Sequence, residues 1–156
     1  MTRQPSIATC LWFEANGIDA ARFYVDLIDG SRLLSRVPEG ANPMIVDFEL
    51  AGVPYRILNG GPHYKLSPAC SIAATTPDQS ETDRIWDALI ANGGEPGRCG
   101  WLVDRWGVSW QVFPAALATL LGADDRQAAG RAQAAMMQMG KIDLAELQAA
   151  FDNTAG

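Results

Sequence analysis

Between residues 44 and 50 the apolar side chains of Met44, Val46, Phe48 and Leu50 alternate with Ile45, Asp47 and Glu49. That is the period of a strand with two unlike faces. Val46, Phe48 and Leu50 should pack under helices, and Ile45, Asp47 and Glu49 should line the opposite, concave face. The same patterning predicts a first strand over 7–13, a helix over 17–28 that ends at Asp29-Gly30, a second strand over 31–37, a loop over 38–43 and a further strand over 53–58. Residues 59–68 carry too many breakers for regular structure and must join two halves. The second half predicts a strand over 70–76, then a helix holding Ile85, Trp86, Leu89 and Ile90, capped by Asp78 or Ser80 and stopping at Asn92-Gly93-Gly94. Strands over 95–100, 101–106 and 108–113 follow. After Pro114 the period turns helical, over 115–121, 125–139 and 143–151, and the last helix opens on the capping-box spacing of Asp143 and Glu146.

The two halves are copies. Gly52-Val53-Pro54-Tyr55-Arg56-Ile57-Leu58 recurs as Gly107-Val108-Ser109-Trp110-Gln111-Val112-Phe113, and Arg22-Phe23-Tyr24 with Leu27-Ile28 recurs as Arg84-Ile85-Trp86 with Leu89-Ile90. Each copy runs strand, helix, then three strands, and is too small to close a core of its own. Paired curved sheets around a shared cavity are the expected outcome. The fold class is therefore α+β, with two βαβββ modules at about 5–60 and 69–115 within a domain over 1–115, and a helical C-terminal extension over 116–156 packed on it.

Composition narrows the partners. With 156 residues, of which 48% are hydrophobic, the chain can fold without metal or crosslinks. A net charge of −6 and the lack of any Lys/Arg run argue against nucleic acid and against an anionic membrane surface, which leaves a small molecule. Cys10, Cys70 and Cys99 are odd in number and form no CxxC pair, as expected of reduced, buried thiols in a cytoplasmic protein. The first residues hold no apolar signal segment, and no apolar run is long enough to cross a membrane.

The Phe23-Tyr24 pair in the first helix and the Gly-x-x-aromatic-x-apolar last strand of each module resemble the vicinal oxygen chelate superfamily of glyoxalase and bleomycin-resistance proteins. Phe48-Glu49-Leu50, Leu58-Asn59-Gly60-Gly61-Pro62, Trp86-Asp87-Ala88-Leu89, Cys99-Gly100-Trp101-Leu102 and Gly107-Val108-Ser109-Trp110-Gln111-Val112 resemble its PhnB-like branch. Residues 136–147, with Lys141-Ile142-Asp143, are similar to that branch's tail. The resemblance implies a small-molecule cavity and a homodimer in which modules from two chains complete each cavity. It does not choose among lyase, isomerase, dioxygenase and drug-sequestering roles. Some PhnB-like sequences are labelled demethylubiquinone methyltransferase, but Gly60-Gly61 precedes a proline loop and opens no helix, so no dinucleotide-type turn is present.

Metal-dependent members of the superfamily carry His, Gln or Glu at one point of the first and last strands of each module. Counting back from Phe23-Tyr24 and its copy places Thr9 and Ser71 at these points, with Arg56 and Gln111 in the last strands. Neutral hydroxyls, one amide oxygen and a fixed positive charge make no divalent site, so neither metal nor cofactor is expected. His63, the single histidine, reads as a solvated loop residue. Glu49 on the concave face is either a general base or a partner of Arg56. Asn59, Arg56 and Gln111 suit the orienting of a polar ligand, and Trp101 or Trp106 the stacking of a planar one. Trp12, Trp86 and Trp110 are expected in the core, Asp104-Arg105 as a surface ion pair, and the methionines at 136, 137 and 139 as core or contact filling. Three roles stay open. The chain could be a metal-independent acid/base enzyme, a sequestering protein without turnover, or an atypical metal-dependent lyase or dioxygenase.

Overall fold

The computed structural model describes residues 6–154. The chain divides into two compact units, Met1–Leu66 and Ser67–Gly156. In the first, β1 (Thr9–Phe13) leads into α1 (Gly17–Leu27), followed by β2 (Arg32–Leu33), β3 (Ile45–Leu50) and β4 (Val53–Asn59). The sheet order is β1-β4-β3-β2, with β1 parallel to β4 and the other pairs antiparallel. Period-two alternation sends Val46, Phe48 and Leu50 of β3 under α1, where Val46, Phe48, Ile57 and Tyr24 are each 0% exposed. Full burial of such a side chain contributes about 1.5–3 kcal/mol, so these few residues fix which face of the sheet the helix covers.

The second unit repeats the order with β5 (Ser71–Thr76), α2 (Gln79–Ile90), β6 (Glu95–Pro96), β7 (Trp101–Val103) and β8 (Ser109–Pro114), in the sheet order β5-β8-β7-β6. Trp110, Val112 and Leu102 of the sheet and Trp86 and Leu89 of α2 form its core. The Asp78 carboxylate caps α2 by accepting from the Glu81 N–H at 2.9 Å. Three helices follow, α3 (Ala116–Leu121), α4 (Arg126–Met136) and α5 (Leu144–Phe151), the last capped as its spacing predicts, by Asp143 accepting from Glu146 N–H. Leu117, Leu120, Ala132, Met139, Ile142 and Leu147 give these helices a small core. Gln79 ties them to α2, donating to Ile142 O at 2.9 Å and accepting from Leu144 N–H at 2.8 Å. The fold is α+β, with two strand–helix–three-strand modules and C-terminal helices belonging to the second.

Three strands fall to half or less of the length that their patterns predict. The strand expected over 31–37 pairs only at Arg32–Leu33, because the Ser35 hydroxyl accepts the Asp47 N–H and Asp47 O takes the N–H of both Leu34 and Ser35, which ends the ladder. Pro96 brings no N–H, and Gly97 turns at once into β7, so the strand expected over 95–100 is two residues long. A side chain at 97 would meet Trp101 O at 2.7 Å, and the turn therefore requires glycine. The strand expected over 101–106 stops at Val103, where Asp104 gathers the following turn around its own carboxylate.

Candidate functional site

Each sheet has one face covered by its helix and one left open, and the chemistry lies on the open faces. In the first sheet, register places Cys10, Arg56 and Asp47 in one row across β1, β4 and β3. The Arg56 guanidinium grips Asp47 at 2.7 and 3.1 Å, a bidentate pair that raises the arginine pKa through the hydrogen bond and the opposite charge. Glu49 does not meet Arg56. Its cross-strand neighbour is Arg32, which donates to Glu49 Oε2 at 2.7 Å and is itself held above its ordinary pKa by that bond. The expected Glu49–Arg56 pair is replaced because Arg56 faces Asp47 in the register.

Asn59 is committed to the fold. Its Oδ1 accepts the Gly17 N–H at 2.9 Å, closing the first turn of α1, and its amide donates to Pro43 O at 2.7 Å and to Asn42 Oδ1 at 3.3 Å. Thr9 shares the strand face of Leu11 and Phe13, which are buried, and so points to the helix side at the exposed start of β1. Trp12 takes the open face instead of the core. Its indole N–H donates to Gly61 O at 2.8 Å, Tyr64 meets it edge-on at 4.9 Å, and a side chain at Gly60 would collide with its ring. Cys10 and Cys70 are exposed, which corrects the expectation of buried thiols, and His63 is exposed in its loop.

On the second sheet's open face Gln111 donates its amide to Ser71 Oγ at 2.9 Å, so the structure brings these two predicted residues together. Trp101 is the cross-strand neighbour of Gln111, and Val103 that of Ser109. Beside them, Pro68, Glu95, Pro96, Arg98, Trp101 and Ser109 help to wall a groove of about 530 Å³. Glu95 and Arg98 stand exposed on its rim, while Ser109 is 3% exposed and its hydroxyl has no hydrogen-bond partner among the described residues. Sequence reasoning passed over Ser109, although alternation from Gln111 puts it on the same face.

It also misplaced Asp104. This residue is 3% exposed, not a surface ion-pair member: its Oδ1 accepts from Trp106 N–H and Val108 N–H at 2.9 and 3.0 Å, and its Oδ2 accepts from Trp110 Nε1–H at 2.9 Å. An Asp three residues ahead of Gly107 was the available signal for a turn built on a side-chain carboxylate. Asp104 thereby fixes the β7–β8 hairpin from which Trp101, Val103 and Ser109 reach the groove.

A divalent cation does not fit the predicted points. Arg56 holds a fixed positive charge in the first sheet, and Gln111 presents its amide to Ser71 in the second. No three His, Cys, Asp or Glu side chains converge among the described residues. No helix among them is long and apolar enough to cross a membrane.

A family described as 3-demethylubiquinone-9 3-methyltransferase matches residues 5–113, so the match ends before α3 and leaves out the C-terminal helices, whose residues 136–147 had resembled the PhnB-like tail. No match occurs among curated proteins. Among solved structures, a PhnB protein from Bacillus cereus is 27% identical with a TM-score of 0.62, over 71% of this chain and 100% of that one. A protein from Pseudomonas aeruginosa is 22% identical with a TM-score of 0.57, over 71% and 98% of the respective chains, and supports the fold. The methyl-donor nucleotide that the family description implies is not matched by the residues present, because β5 passes into α2 through Pro77-Asp78, without glycine, and Asp78 itself closes the helix N-terminus. By sequence match and by architecture, the chain belongs to this PhnB-like 3-demethylubiquinone-9 3-methyltransferase family.

Proposed function

We propose that the protein binds a small molecule in the groove of its second module, without a metal centre and without turnover. The groove carries this proposal. At about 530 Å³ it has the size of a ligand site, typically about 300–1,000 Å³, and it joins apolar walls to a few polar atoms. Trp101 walls it, and the cross-strand neighbour of Trp101 is Gln111, which Ser71 supports from β5. Sequestration is favoured over base catalysis by Glu49, because Glu49 is held by Arg32 and is not a wall of the groove, whereas a general base needs a lone pair within reach of the substrate's proton. The family resemblance supports a homodimer in the cytoplasm.

Mass spectrometry of molecules released from purified, denatured protein is the test. A compound recovered at about one per chain from the native protein, and lost from Trp101→Ala, is the expected result. Finding a compound that the protein converts to product, with conversion lost in Glu49→Gln, would overturn it in favour of the enzyme.

A further inference from the structure

We propose that Asn92 is a self-modification site, at which the backbone nitrogen of Gly93 displaces the side-chain amide and leaves a carboxylate in its place. The chain holds three Asn-Gly pairs, Asn16-Gly17, Asn59-Gly60 and Asn92-Gly93, and local sequence gives all three the same chemistry. A glycine after asparagine presents a nitrogen that no Cβ shields, on a backbone free to turn toward the side chain. The fold separates the three. At Asn16 the nucleophile is locked, because the Gly17 N–H donates to Asn59 Oδ1 at 2.9 Å and Gly17 is buried. At Asn59 both reacting groups are locked: its carboxamide accepts that bond and donates to Pro43 O at 2.7 Å, while the Gly60 N–H donates to Phe13 O at 2.9 Å. Attack at either pair must wait for local opening.

Asn92 and Gly93 are exposed in the turn after α2, and neither the Asn92 side chain nor the Gly93 N–H has a hydrogen-bond partner among the described residues. Their φ values of 60° and 111° lie where asparagine and glycine are the residues that sit readily, which is why the end of α2 carries this pair. The reaction balances without a cofactor. The Gly93 nitrogen bonds to Asn92 Cγ as the C–N bond of the carboxamide breaks, and the departing nitrogen takes the proton given up by the Gly93 N–H and leaves as ammonia. Water then opens the cyclic imide at one of its two carbonyls, to an aspartate or to a β-linked isoaspartate. Either product sets a negative charge just past the C-terminus of α2, where the helix dipole is itself negative. The β-linked product also adds a methylene to the backbone shortly ahead of Glu95 and Pro96, two walls of the groove.

The test is peptide mapping by mass spectrometry after incubation in warm, mildly alkaline buffer, on the native protein and on the same protein in urea. Trypsin puts the three pairs on separate peptides, so each conversion of amide to acid is read by itself. In the native protein Asn92 should convert at least about tenfold faster than Asn16 and Asn59, the factor that each 1.4 kcal/mol or so of local opening imposes. In urea, where no fold protects any of them, the three rates should agree within about threefold. Equal native rates at the three pairs would overturn the proposal, and so would native conversion at Asn92 more than about tenfold slower than its conversion in urea, since the turn would then protect it as the fold protects the other two.

Discussion

Replacing Asp104 by Asn tests how the groove is held, and its cost can be worked from the contacts. Asn retains Oδ1, which accepts from Trp106 N–H and Val108 N–H, but presents an NH₂ group where Oδ2 accepted from Trp110 Nε1–H at 2.9 Å. Two buried donors then face each other. Trp110 is 0% exposed and Asp104 3%, so water cannot rescue either group. An unpaired buried polar group costs about 1–3 kcal/mol, and the two bonds that persist lose the strengthening that a charged acceptor gives. The sum is about 3–5 kcal/mol, a large share of a domain's usual 5–15 kcal/mol stability, and a fall in Tm on the order of 10 °C. Trp110→Phe keeps an aromatic ring, though a smaller one, and removes the N–H, and in combination with Asp104→Asn it also removes the donor–donor clash. Urea denaturation of the two single variants and the double should therefore show a coupling of about 1–3 kcal/mol, with the double less destabilised than the sum. Costs that add to within about 0.5 kcal/mol would mean that Asp104 does not act through Trp110, and the hairpin would have to owe its geometry to something else.

Other expectations follow from single contacts. Trp110→Ala should cost about 3–5 kcal/mol and His63→Ala under about 1 kcal/mol in the same assay, since one side chain is fully buried and the other exposed; equal losses would refute the assignment of faces. Asp83 is held below its ordinary pKa by hydrogen bonds from Lys141 and Gln79, so its contribution is present above the usual aspartate range and lost as pH falls through the lowered value. Because the pair is exposed, Asp83→Asn should flatten the acid limb of the stability profile by less than about 1 kcal/mol. Lys141 is held above its ordinary pKa mainly by its bond to Asp83, so its share is complete below the usual lysine range and fades as pH rises through the raised value. Elemental analysis of protein purified without chelator should find less than stoichiometric zinc, nickel, iron or manganese; one ion per chain held by Arg56, Ser71 or Gln111 neighbours would refute the donor-set reasoning.

What was legible in the chain was whatever depends on local pattern. The alternation through Val46, Phe48 and Leu50 gave the correct face of β3, and Asp78 and Asp143 cap the helices that their spacing announced. Groups that act across strands were not legible. Glu49 could be placed on the open face, but its partner depends on register, which sets it opposite Arg32 and sets Asp47 opposite Arg56. Asn59 reads as a polar strand end, and only the fold brings its amide to Gly17 and Pro43, far away in sequence.

The misplacement of Thr9 and Trp12 has a single cause. Matching the helices of the two halves and counting back assumes equal connections, yet Glu14-Ala15-Asn16 joins β1 to α1 where only Pro77-Asp78 joins β5 to α2. The extra residue slides β1 by one position against β5, and with a side-chain period of two, a one-residue slip exchanges the faces. Register shows the consequence: the neighbour of Arg56 is Cys10, and the neighbour of Gln111 is Ala73. Trp12 thus leaves the expected core for the open face, and Cys10 becomes exposed for the same reason. The strand centres of the open faces then carry Cys10 beside Arg56 in one sheet and Ala73 beside Gln111 in the other. Arg56 still sets a positive charge beside the single soft ligand, and Ala73 offers no ligand at all, so the corrected register suits a divalent cation no better than Thr9 and Ser71 did.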